Sequence, residues 1–205
     1  PDWPKCFDAW IPPTDVSGVP PHIDPAMFNF AKAWTEYLNR LLGVIVGFLI
    51  FGTTIFAWRD HRKTPRVWWP TLASLLLVGF EGWLGGQVVR AQLAPMVLTA
   101  HLVVALIIVG LLVYATVSAF YPEGRPLHTV SKERKRLAWV SAGTLALLFV
   151  QVASGALVRG RIQLIDAISP RAEWFAGAGS LGPLHGNIAV LMASAVSVLG
   201  VLTLK

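Results

Sequence analysis

The chain has 205 residues, of which 55% are apolar and only 14% charged, with a mean hydropathy of +0.60. A soluble domain carries closer to a quarter charged residues, so an ordinary soluble fold is excluded. The net charge of +6 sits in short loops between apolar runs, where it reads as a membrane-orientation signal and not as a nucleic-acid footprint. Cys6 is the single cysteine, which leaves no disulfide within the chain.

In chain order, residues 1–33 form a polar outer segment. Pro12-Pro13, Pro20-Pro21 and Pro25 break any helix there, and Asp2, Asp8, Asp15 and Asp24 make it polar. A first span is predicted over Trp34 to Trp58, followed by a basic loop with Arg59, Arg62, Lys63 and Arg66. A second runs from Trp68 to Leu93, and a turn at Ala94-Pro95 leads to a third over Met96 to Phe120. Residues 121–136 form a second basic loop with Arg125, Lys132, Arg134, Lys135 and Arg136. The fourth span is Leu137 to Val158, a polar Gly-rich connection covers 160–182, and a fifth begins near Pro183. Each stretch holds about 20 apolar residues, the length that crosses a bilayer, and must be helical to satisfy its own backbone. The expected fold is therefore all-α: a polytopic membrane bundle with five transmembrane helices. No Met opens the chain and no signal peptide is visible, and the chain ends at Leu204-Lys205 as a span would reach the far side. A piece of a longer protein is expected.

The two basic loops hold nine of the seventeen Lys and Arg residues, whereas the turn after the second span holds Arg90. The loops are thus expected on the cytoplasmic side, with residues 1–33, the Arg90 turn and 160–182 outside. Asn39, His101 and His185 then fall at similar depth near the outer face, agreeing within a turn at about 1.5 Å rise per residue. Gly86-Gln87-Val88-Val89-Arg90 and Gly155-Ala156-Leu157-Val158-Arg159 share G-x-x-V-R at outer span ends, after Glu81 and Gln151 respectively. Such echoes often mark duplication, though five residues recur by chance in apolar sequence.

His101 stands alone in Leu98-Thr99-Ala100-His101-Leu102-Val103-Val104. A neutral imidazole in a bundle is a natural axial ligand for heme iron; the alternative is a histidine bonded to a neighbouring helix. His185, in Gly182-Pro183-Leu184-His185-Gly186-Asn187, has flanking glycines that admit a flat ring, or is an interfacial histidine at a helix start. Glu36, Asn39 and Arg40 share one helix face. They could orient a substrate or move a proton, but the residues alone favour a Glu36–Arg40 ion pair. Glu81 is open between a proton relay and helix glue, and Gln151 is read as structural. Arg90 and Arg159 could pair with carboxylates such as heme propionates, or snorkel to the interface. No phosphate-cradling loop, zinc cysteine pair or nucleophile elbow is present.

Several segments resemble heme A synthases. Pro1-Asp2-Trp3-Pro4-Lys5-Cys6-Phe7 with Trp10-Ile11-Pro12-Pro13-Thr14 is similar to that family's first outer loop, and Glu36-Tyr37-Leu38-Asn39-Arg40-Leu41-Leu42-Gly43 to the opening of its next helix. Gly79 to Gly86, Leu93 to Leu102, Gln151 to Arg159 and Pro183 to His185 resemble later segments, in order. The resemblance implies eight helices in a duplicated four-plus-four architecture, of which this chain holds helices two to six. Residues 34–120 would be three helices of the N-terminal half-bundle and 137–205 the first two of the C-terminal half-bundle.

The resemblance further implies a membrane oxidoreductase that converts the methyl group of heme O to the formyl group of heme A for terminal oxidase biogenesis, with a heme b cofactor. His101 and His185 would be axial ligands of heme iron, Glu36 the acidic residue of catalysis that places or relays protons, and Asn39, Arg40 and Arg90 would line heme sites. Cys6 would pair with a cysteine before Pro1. Asn39 stands where many members have histidine, and Glu81 where glutamine is common. The expected setting is a bacterial cell membrane with both histidines near the extracytoplasmic face. Expected partners are heme O, lipid, heme O synthase and terminal oxidase subunits, with no nucleic acid. Two other functions fit the same histidines: a b-type cytochrome electron carrier, and a heme-handling or transport subunit.

Overall fold

The computed structural model describes Lys5 and residues 9–121, 132–165 and 170–203. Cys6 lies outside them, as does most of the second basic loop. The described residues form six α-helices and no extended strand: α1 (Phe30–His61), α2 (Pro65–Arg90), α3 (Pro95–Phe120), α4 (Lys132–Ile165), the single turn α5 (Trp174–Gly177) and α6 (Leu181–Thr203). All but α5 are long and apolar enough to cross a membrane, and the chain is an integral membrane protein.

Local chemistry sets the boundaries. Asn29 caps α1, its side chain accepting from the Lys32 N–H at 2.9 Å. Before it, Asp15 and Asp24 cap short 3-10 turns at Val16–Gly18 and Pro25–Met27. The Ser17 hydroxyl, helped by the Ser17 and Gly18 N–H groups, holds the exposed Asp15 carboxyl below the usual carboxylate range. The N-terminal segment is tied to α1 by the Trp34 indole N–H, which donates to the Pro13 carbonyl at 3.2 Å. Pro65 starts α2, where its missing N–H costs nothing. The turn after α2 is tight: Ala91, Gln92 and Leu93 N–H groups bond back to Gln87, Val89 and Val88 carbonyls. Gln92 and Leu93 take positive φ of 50° and 60° to make it, a conformation non-glycine residues rarely adopt.

By its contacts the chain divides into two compact units. The first holds residues 1–93 and 104–122, the second residues 94–103 and 123–205. The division falls inside α3, whose first turns belong to the second unit. In the first unit, α1 packs on α2. The buried positions Ile50, Thr54 and Ala57 on α1 and Val67, Thr71 and Ser74 on α2 both repeat at i, i+4 and i+7. Small and β-branched residues let two membrane helices approach closely, which lipid-facing leucines do not. Thr54, Thr71 and Ser74 return their hydroxyls to the carbonyl four residues back, so each of these three buried donors is met within its own helix.

In the second unit, α4 packs on α6. A Cβ at Gly160 would clash with the Pro95 ring, and one at Gly177 with the Ile165 side chain. The rigid Pro95 ring makes glycine the fitting residue at 160, whereas the Ile165 side chain end can turn aside from a Cβ at 177. The structure corrects one boundary here. Beyond the expected end of the fourth span at Val158, α4 continues through Ile165; residues 171–177 form helical turns, and α6 starts at Leu181, near the expected Pro183. At 34 residues, α4 is about 51 Å long and outreaches a hydrocarbon core of about 30 Å. Its helix outlasts its hydrophobicity.

A histidine-bearing cleft in the second unit

His185 sits near the start of α6, half-buried against α4. Two α4 side chains hold its ring. Ser154 Oγ lies 2.9 Å from Nδ1, and Gln151 Nε2 lies 3.2 Å from Nε2. Gln151, Ser154 and Gly155 stand at i, i+3 and i+4, one face of α4. Gly155 completes the seat, since a Cβ there would sit 3.0 Å from His185 Cε1. The ring therefore rests in space that any larger residue would fill.

This seat forms one wall of a cleft of about 450 Å³, lined by Leu98, Leu102, Gln151, Val152, Gly155, Ala156, Arg159 and His185. The volume falls in the range of sites that take cofactor-sized ligands. Its walls are aliphatic, with one imidazole, one amide and one guanidinium among them. Such walls fit a flat apolar macrocycle bearing a metal and peripheral carboxylates: the imidazole for the metal, the arginine for a carboxylate. Among the described residues no group of three His, Cys, Asp or Glu could hold a bare metal ion.

The other sequence-predicted residues fall as follows. His101 is half-buried on α3, in the second unit. It is adjacent to Leu102 and one turn after Leu98, both in the cleft wall, and is not itself part of that wall. Glu36, Asn39 and Arg40 belong to the first unit. Glu36 and Arg40 form the expected i,i+4 ion pair, with side chains 27% and 21% exposed. Arg40 also donates from Nη1 to the Lys5 carbonyl at 3.1 Å, so its guanidinium fastens Lys5 to α1. Asn39 is exposed. Arg90 is exposed at the last position of α2, and Glu81 is half-buried on that helix. Ser154 was not among the sequence candidates, and Gln151 was read as structural. The available signal was the Q-x-x-S-G spacing, which puts two polar groups and a gap on one helix face.

Fold and cleft together define a polytopic α-helical membrane protein with a histidine-bearing, cofactor-sized site. The chain belongs to the COX15-CtaA family, described as cytochrome oxidase assembly protein, whose family model matches residues 1–192. It is similar to several proteins called heme A synthase. The one from Maricaulis maris is 32% identical over 62% of this chain and 37% of its own length. That from Paracoccus denitrificans is 31% identical over 84% of this chain and 46% of its own length, and that from Rhizorhabdus wittichii 28% over 81% and 50%. The chain thus spans no more than half the length of these relatives. No solved structure matches it.

Proposed function

We propose that this chain is part of a heme A synthase, a membrane oxidoreductase that converts the methyl group of heme O to the formyl group of heme A. The carrying observation is His185, seated by Ser154, Gln151 and Gly155 in the wall of an aliphatic cleft of cofactor size. Family membership and the names of the relatives support the same reading.

The methyl-to-formyl change is a four-electron oxidation that adds one oxygen atom to the carbon, so it requires an external electron acceptor and an oxygen source, such as water or dioxygen, in addition to this chain. Bound heme b supplies redox-active iron. His185 offers that iron an imidazole nitrogen. Leu98, Leu102, Val152 and Ala156 cover an apolar ring and keep water from it. Arg159 pairs with a propionate at the cleft. In the first unit Glu36 holds or hands on a proton for the substrate methyl group, with Arg40 fixing its carboxylate. In the second unit His101 would offer a further imidazole to heme iron; in the first unit Asn39 and Arg90 would border bound heme O. We place both histidines near the extracytoplasmic face of a bacterial membrane, with heme O synthase and terminal oxidase subunits as partners on either side of the reaction.

The test is heme extraction from the full-length protein expressed with a source of heme O. Heme A in the wild type, lost on Glu36→Gln, supports the synthase. Heme b alone would instead mark an electron carrier.

A further inference from the structure

Three contacts around His185 share three protons. Gln151 Nε2 stands 3.2 Å from His185 Nε2, Ser154 Oγ 2.9 Å from Nδ1, and Ser154 Oγ 3.0 Å from the Gln151 backbone carbonyl. An amide nitrogen only donates and a carbonyl only accepts. The Gln151 N–H therefore requires a lone pair on His185 Nε2. That puts the ring proton on Nδ1, which donates to Ser154 Oγ, and the hydroxyl proton goes to the Gln151 carbonyl. One assignment serves all three contacts. Turning the Gln151 amide over would put the ring proton on Nε2 and make Ser154 donate to Nδ1, leaving the Gln151 carbonyl contact without a proton. Ser154 thus links the ring's tautomer to the α4 backbone.

We propose that Ser154 is a positioning residue that fixes His185 as the Nδ1–H tautomer, and that Gln151 is a displaceable cap on Nε2, the nitrogen that meets heme iron. This rests on the reading of His185 as an iron ligand and adds what orients and guards it. In metal-binding histidines, the partner of the second nitrogen sets the tautomer and raises the basicity of the first. Here that partner is a hydroxyl whose own proton is committed elsewhere, so it can only accept. The Gln151 amide is well suited to leave. Its Oε1 is buried with no hydrogen-bond partner among the described residues, so moving aside breaks the one side-chain bond the amide makes there. Gly155 leaves the ring edge the room its seat requires.

The test uses the full-length apoprotein in detergent, titrated with hemin and followed by the Soret band, with the midpoint potential of the bound heme measured spectroelectrochemically. Ser154→Ala should weaken hemin binding about tenfold or more and raise the midpoint potential, because the imidazole loses its acceptor and becomes a poorer donor to ferric iron. Ser154→Thr keeps the hydroxyl and should restore both. Ser154→Val has nearly the shape of threonine, and should behave like alanine. Gln151→Leu should bind hemin as tightly as wild type or about threefold more tightly, since one neutral hydrogen bond no longer competes. Val and Thr variants that match each other would overturn the positioning role, and so would a Ser154→Ala protein with wild-type affinity and potential. Loss of hemin binding in Gln151→Leu would overturn the cap. His185→Ala separates the layers: if it binds hemin as wild type does, the ligand assignment itself falls. If it loses hemin while all Ser154 variants keep it, the positioning role alone falls.

Discussion

Gly155→Ala isolates the geometry of the His185 seat. A Cβ at this position would lie 3.0 Å from His185 Cε1, 3.6 Å from Nε2 and 3.7 Å from Nδ1. The first distance is about 0.5 Å or more short of the optimum for two carbons. Cε1 has ring nitrogens on both sides, so the imidazole must move as a whole. A shift of about 0.5 Å, the tolerance of a functional site, would stretch the 2.9 Å Ser154 contact to the edge of a hydrogen bond. Hemin affinity should then fall about tenfold or more. Stability should move little, because alanine is the better helix former by up to about 1 kcal/mol. Gly143→Ala, on the same helix with nothing within 4 Å of the added atom, is the matched control. Hemin titration and thermal unfolding of the detergent-solubilised protein read the two quantities. Equal hemin affinity in Gly155→Ala and Gly143→Ala would refute the seat.

Gly160→Ala drives a methyl into the Pro95 ring and should destabilise the protein by about 1–3 kcal/mol, seen as a lowered unfolding temperature. Gly179→Ala meets open space but keeps a φ of +63°, so it should cost about 1 kcal/mol through the backbone alone; no loss would contradict the left-handed turn before α6. Arg159→Gln should weaken hemin binding about two- to fivefold, an exposed ion pair's worth, and leave binding of the dimethyl ester unchanged. An equal loss for both porphyrins would remove Arg159 from the propionate. Glu36→Gln should leave hemin titration intact while heme A formation falls at least about tenfold, within the range of acid–base groups. Unchanged heme A yield would return Glu36 to the role of Arg40's ion-pair partner.

The spans were legible because lipid imposes one rule on every stretch: about 20 apolar residues in helical form. Where that rule lapses, so did the reading. Residues 160–165 are polar enough to leave the hydrocarbon, yet they continue α4, because a helix already propagating needs no hydrophobicity to add a turn. His185 was visible as an isolated histidine beside glycines. Its partners were not, because Ser154 and Gln151 acquire their role only when α6 packs on α4, thirty-one and thirty-four residues away in sequence. Arg159 was visible as one of two arginines in an echo, and only the folded second unit distinguishes it as a cleft residue. The Glu36–Arg40 pair was readable from i,i+4 spacing, whereas the Arg40 bond to the Lys5 carbonyl joins residues thirty-five apart and was not.

The most direct measurement is the identity of heme extracted from the full-length protein expressed with a source of heme O, compared between wild type and His185→Ala. The account predicts heme A and heme b in the wild type, with heme b lost and heme A greatly reduced in the variant. Wild-type protein holding heme b with no formyl product would contradict the synthase. A His185→Ala protein with undiminished heme b would contradict the cleft as the cofactor's seat.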